Sequence, residues 1–204
     1  MEVPVRMKIW WAVILICGAI AMRAGAQSTG GWTLYGGAGI VADDGAVLRS
    51  VQVGSLIPTA NPGNELRLSL QYAWSGKSLL PDSWNIGCFD TCGSRGKEKL
   101  LGALFSLRHY VGANRSGAYV SASGGLFLAE LQADYYVRNF STGLETDWSR
   151  TETRLGVGLG PLVGFSGSVG GAPLFAEAGF MYLTATPAGP GGGFVLPVSA
   201  GVRF

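Results

Sequence analysis

Six charged residues, Glu65, Arg67, Arg108, Arg154, Glu177 and Arg203, fall on the polar side of segments whose alternate residues are apolar. Charges held inside a protein wall persist only when paired and hydrogen-bonded. Arginine and glutamate in this arrangement therefore predict an internal salt-bridge network or, on a sharper reading, an arginine-lined pore. His109 is the single histidine and is followed by Tyr110 and Val111. Cys88 and Cys92 make a C-x3-C pair with no second pair and no nearby histidine. That leaves two ligands too few for zinc, and in an exported chain it predicts a small disulfide loop. Gly156, Gly158 and Gly160 mimic a phosphate-binding fingerprint, but they continue a period-two segment and open no helix. The sequence therefore offers no metal site and no cofactor site.

Eight alternating segments must position these residues. The clearest, residues 65–74, sets Leu66, Leu68, Leu70, Tyr72 and Trp74 against Glu65, Arg67, Ser69, Gln71 and Ala73. Spacing of strictly two marks a strand with one apolar face, whereas a helix needs three-four spacing. Similar patterns span residues 32–41, 47–56, 100–111, 118–132, 152–165, 172–183 and 194–204. Each is about the 9–11 residues that a tilted strand needs to cross a bilayer, or slightly longer. The intervening stretches alternate short (57–64, 112–117, 166–171) with longer (75–99, 133–151, 184–193), apart from the brief 42–46. An even number of crossings, with short turns at one end and long loops at the other, predicts an all-β, eight-stranded antiparallel up-and-down transmembrane β-barrel.

The last residues, Phe194 to Phe204, alternate apolar and small or polar residues and stop on an aromatic. This ending resembles the C-terminal strand of bacterial outer-membrane β-barrels, and the whole pattern resembles small barrels of the OmpA/OmpX kind. The resemblance implies residence in the bacterial outer membrane, contact with its lipid and lipopolysaccharide, and recognition of Phe204 by the barrel-assembly machinery. It also implies aromatic girdles, assigned to Trp32 and Phe204 at the periplasmic side and to Tyr72, Trp74 and Tyr182 at the external side. Some outer-membrane barrels are lipid A-modifying enzymes that place a histidine and a serine two residues apart. His109 lacks that partner and falls at the periplasmic end, away from the outer leaflet. A soluble eight-stranded barrel would turn the polar face to water, but here that face is too poor in charge and too rich in Gly and Ser.

Residues 1–26 read as a cleaved signal peptide for Sec export: Arg6 and Lys8, an apolar stretch from Ile9 to Met22, and Ala24-Gly25-Ala26 before Gln27. Residues 27–204 then form one barrel domain with 12 basic and 12 acidic residues. That neutrality, with no basic patch, gives no support to a nucleic-acid partner. The expected function is non-enzymatic. The loops 75–99 and 133–151 would meet an extracellular ligand or support envelope integrity, and a lipid A-modifying enzyme or a narrow small-solute pore are the alternatives.

Overall fold

A computed structural model describes residues 33–42, 47–78, 92–112, 115–138, 145–186 and 192–204. Nine β-segments follow one another: β1 (Thr33–Ala42), β2 (Val47–Pro58), β3 (Asn64–Ser78), β4 (Cys92–Tyr110), β5 (Gly117–Arg138), β6 (Glu145–Val169), β7 (Ala172–Gly179), β8 (Met181–Leu183) and β9 (Gly193–Arg203). All pairings are antiparallel between sequence neighbours, and β9 returns to β1. β7 and β8 are one crossing interrupted at Phe180, whose amide still donates to Pro161 O at 3.2 Å. The result is a closed ring of eight strands.

Register fixes the shape of the ring. Leu34 leads through Ser55, Leu68, Phe105, Gly124, Leu159 and Tyr182 to Phe194. Closure instead sets Tyr35 opposite Arg203, and the Phe204 amide donates to Leu34 O. The trace therefore returns ten residues displaced (204 against 194), the stagger that tilts strands in a closed barrel.

Alternation sends Val51, Val53, Leu68, Phe105, Leu126, Leu155, Val163 and Phe165 outward, and all are exposed. Along β6 this apolar surface runs from Phe165 to Leu155, ten residues or about 33 Å of strand. At the tilt of a small barrel that is a band about 25 Å tall. The opposite face is buried. Three short connections define one end of the ring, residues 59–63, 111–116 and 170–171. Gly170 and Gly171, at φ 58° and 85°, form a two-residue hairpin turn that needs left-handed backbone at both positions. Arg115 ties this end together: its Nη2 donates to Thr59 O at 3.0 Å, and its carbonyl accepts from Ser166 Oγ at 3.3 Å.

Two expected loops are partly strand. Of residues 75–99, those to Ser78 and from Cys92 belong to β3 and β4. Of residues 133–151, all but 139–144 belong to β5 and β6, paired out to Arg138 opposite Glu145. From the pair Leu128–Leu155, where the apolar band ends, to that last pair is ten residues, about 33 Å of strand. β4, β5 and β6 therefore continue as a three-stranded blade beyond the band.

Candidate functional site

The inward face carries two layers. Nearer the turn end lies a charged layer built around Glu177 on β7. One carboxylate oxygen takes Arg67 Nη1 and Ser199 Oγ (3.1 Å); the other takes Arg108 Nη2 (2.8 Å) and Tyr119 OH (3.0 Å). Arg67 also donates to Tyr35 OH and to Gln52 Oε1. Gln52 in turn donates to Ser199 Oγ at 2.8 Å. Glu65 accepts from Tyr110 OH at 2.8 Å and lies 3.7 Å from Arg108 and 3.6 Å from Arg203, which itself donates to Tyr110 OH. The Arg108 guanidinium lies over Tyr119 at 4.7 Å and Phe175 at 5.6 Å. Arg67 and Arg108 are fully buried. Charges this deep are held because every arginine faces both a carboxylate and an aromatic ring.

Toward the loop end, Val41, Leu48, Ala73, Leu100, Leu104, Phe127, Ala129, Met181, Leu183 and Val195 fill the same lumen with apolar side chains. A cavity of about 20 Å³ lies between the layers, lined by Gln52, Gln71, Ser106, Ser123 and Ser199 on its polar side. That is room for one or two waters.

The lumen glycines face rings and neighbouring backbone. A Cβ on Gly158 would meet Phe127 at 2.4 Å, on Gly102 Phe127 at 2.6 Å, on Gly164 Tyr119 at 2.3 Å, and on Gly201 Phe175 at 2.7 Å. Aromatic rings lie across the wall and need bare backbone beneath them, the covering of strand glycines by neighbouring rings.

Glu65, Arg67, Arg108, Glu177 and Arg203 thus lie in one network. Arg154 lies apart on the blade side, where its Nε and Nη2 hold Glu152 at 2.7 and 2.6 Å, with Arg150 3.9 Å from the same carboxylate. His109 is exposed at the turn end, opposite Val120, with Nδ1 2.7 Å from Asn64 Oδ1. Tyr72 and Trp74 stack outward at the loop end of the band, 5.4 Å between rings, and Tyr182 meets Phe194 at 5.4 Å there. Phe204 is exposed at the turn end. Trp32 and Cys88, and with Cys88 the expected Cys88–Cys92 disulfide, lie outside the described residues; Cys92 opens β4. Sequence reasoning assigned no role to Tyr35, Tyr119, Phe127 or Phe175. Among the described residues no group of His, Cys, Asp and Glu side chains could hold a metal.

Beyond Leu128 and Leu155 the outward face of the blade is polar, while Leu131, Ala133 and Tyr135 form a buried apolar cluster on its other face. Lys99 pairs with Glu130 at 2.6 Å and Lys97 with Asp134 at 2.7 Å, and Tyr135 stacks on its cross-strand partner Trp148 at 5.3 Å. β6 pairs with β7 and β8 only from Gly158 to Val169. From Glu145 to Arg154 its far edge has no described partner strand.

A closed eight-stranded ring, apolar outside and charged within, defines the class: an up-and-down barrel of the membrane type. No family model matches the sequence, and no curated protein matches it. Solved structures do. A major outer membrane protein from Thermus thermophilus aligns with TM-score 0.54 and 16% identity, over 85% of this chain and 98% of that one. The N-terminal β-barrel domain of Pseudomonas aeruginosa OprF gives 0.45 and 15%, over 84% and 97%. Ail, the attachment invasion locus protein of Yersinia pestis, solved with the heparin analogue sucrose octasulfate, gives 0.45 and 14%, over 85% and 96%. At these identities the likeness is one of fold, that of small outer-membrane β-barrels.

Proposed function

We propose that the chain is a non-enzymatic barrel of the bacterial outer membrane, exported with residues 1–26 as its signal peptide, that presents the β4–β6 blade outside the cell as a contact surface. The blade carries the reading. Three strands continue about 33 Å past the apolar band, change on their outward face from apolar to polar side chains at Leu128 and Leu155, and give β6 no described partner strand along its far edge from Glu145 to Arg154. Strand edges with free amides and carbonyls are ready templates for another chain. Trp148 and Tyr136, both more than 40% exposed, add aromatic anchors. The short turns and Phe204 then face the periplasm, where Phe204 is the end available to the assembly machinery. Charged and apolar layers filling the lumen favour this reading over a solute pore. His109, held by an amide at the turn end, offers no support for lipid chemistry in the outer leaflet.

The test replaces residues 134–149 with a two-residue Asn-Gly turn and compares cells carrying equal amounts of folded barrel. Attachment of the cells to surfaces and to one another is expected to fall to the level of cells without the protein. Attachment equal to the full-length chain would overturn the contact role.

A further inference from the structure

The outer wall at the loop end carries cations that neither the lumen nor the blade edge employs. Arg49 is exposed on β2 and makes no ion pair among the described residues. Register sets it opposite Trp74 on β3, and Trp74 opposite Lys99 on β4. Arg49 and Lys99 are thus two strand spacings apart, about 10 Å, with an indole between them. The Trp74 ring stacks on Tyr72 at an interplanar angle of 17°, so the two form one flat aromatic surface. One step toward the middle of the band the same strands show only Val51, Tyr72 and Leu101, and the step beyond shows Val53, Leu70 and the small Ala103. The cations therefore sit where the apolar surface ends.

We propose that Arg49, Trp74 and Lys99 form a binding site for the phosphorylated sugar head group of a lipid in the surrounding leaflet. Arginine's planar fork takes a phosphate through two parallel hydrogen bonds, and the lysine ammonium takes a second phosphate as a point charge. A sugar ring lies on the Trp74–Tyr72 surface, and acyl chains run down the apolar strip below. Lys99 is also held by Glu130 at 2.6 Å, with side chains 41% and 25% exposed. A pair this open contributes less than about 1 kcal/mol, so the lysine is free to turn toward a dianion. The inference rests on the membrane reading above.

Native mass spectrometry of the full-length barrel in detergent provides the test, with a bisphosphorylated diglucosamine lipid as probe. The lipid adduct should weaken at least fivefold in the Arg49→Gln/Lys99→Gln double variant and remain unchanged in Arg150→Gln on the blade. Both altered side chains are exposed, and the gel shift on boiling verifies folding of each variant. Equal binding by the double variant, or equal binding of the dephosphorylated lipid, would overturn the site. Displacement of the lipid by inorganic phosphate at the same concentration would overturn the lipid assignment in favour of free phosphate. A chain that fractionates away from the outer membrane sinks the membrane reading; a membrane-embedded barrel whose adduct ignores the double substitution sinks this site alone.

Discussion

Glu177 accepts from four side chains on four different strands, β3, β4, β5 and β9. Its removal leaves two fully buried guanidinium groups without their shared carboxylate. Breaking a buried pair in this way costs about 3–5 kcal/mol, because the uncompensated charge remains inside. Glu177→Ala is therefore expected to lower the urea midpoint of the barrel by a corresponding amount, and an unchanged midpoint would contradict the network's role. A second residue-scale effect concerns glycine. Gly158 leaves Phe127 and Leu183 the space that a methyl group would enter at 2.4 and 2.6 Å. Gly158→Ala should destabilise by about 1–3 kcal/mol through overpacking. Phe127→Leu added to it should recover part of that loss, a non-additivity that a double-mutant cycle reads directly. Additive losses would place the strain elsewhere.

At the scale of elements, the long β6 has two kinds of edge. Between 158 and 166 it is paired on both sides, and between 145 and 154 only to β5 among the described strands. Hydrogen exchange should follow this division. Amides of the upper segment that bond to β5 should be slow, those between them fast, and the lower segment uniformly slow. Uniform protection through residue 145 would show the edge covered. The same elements explain what the sequence could and could not reveal. Leu66 to Trp74 alternate against a charged face, so their strand and its sidedness were legible from period alone. Above Leu128 and Leu155 the outward face is polar and only Leu131, Ala133 and Tyr135 are buried on the other, so the apolar marker weakens; Asp134, Ser149 and Arg150 look like loop although they are paired. The apolar layer was concealed for the opposite reason. Leu48, Leu104 and Met181 share the parity of the polar residues on their strands, and only the fold brings them together as one apolar layer. The charged cluster was legible in part: inward parity named Glu65, Arg67, Arg108, Glu177 and Arg203, whereas the rings over the arginines depend on which strands face each other across the lumen.

For the whole molecule, the two sides of the wall have exchanged the roles familiar in water-soluble proteins. Exposed Val, Leu and Phe residues cover a band about 25 Å tall, and the arginines and glutamates are inside. The closed ring leaves no strand edge within the band, as hydrocarbon demands, while among the described residues the blade's edge from Glu145 to Arg154 has no partner strand, where water can satisfy it. The proposed function sets an orientation, with the Arg138–Glu145 end of the blade outside the cell and Gly170–Gly171 in the periplasm. The direct measurement is antibody access to a short epitope inserted either at residues 139–144 or between Gly170 and Gly171, on intact and on permeabilised cells. The tip epitope should bind antibody on intact cells, and the turn epitope only after the outer membrane is breached. A tip epitope that needs permeabilisation, or a tagged chain recovered in the soluble fraction, would contradict the account.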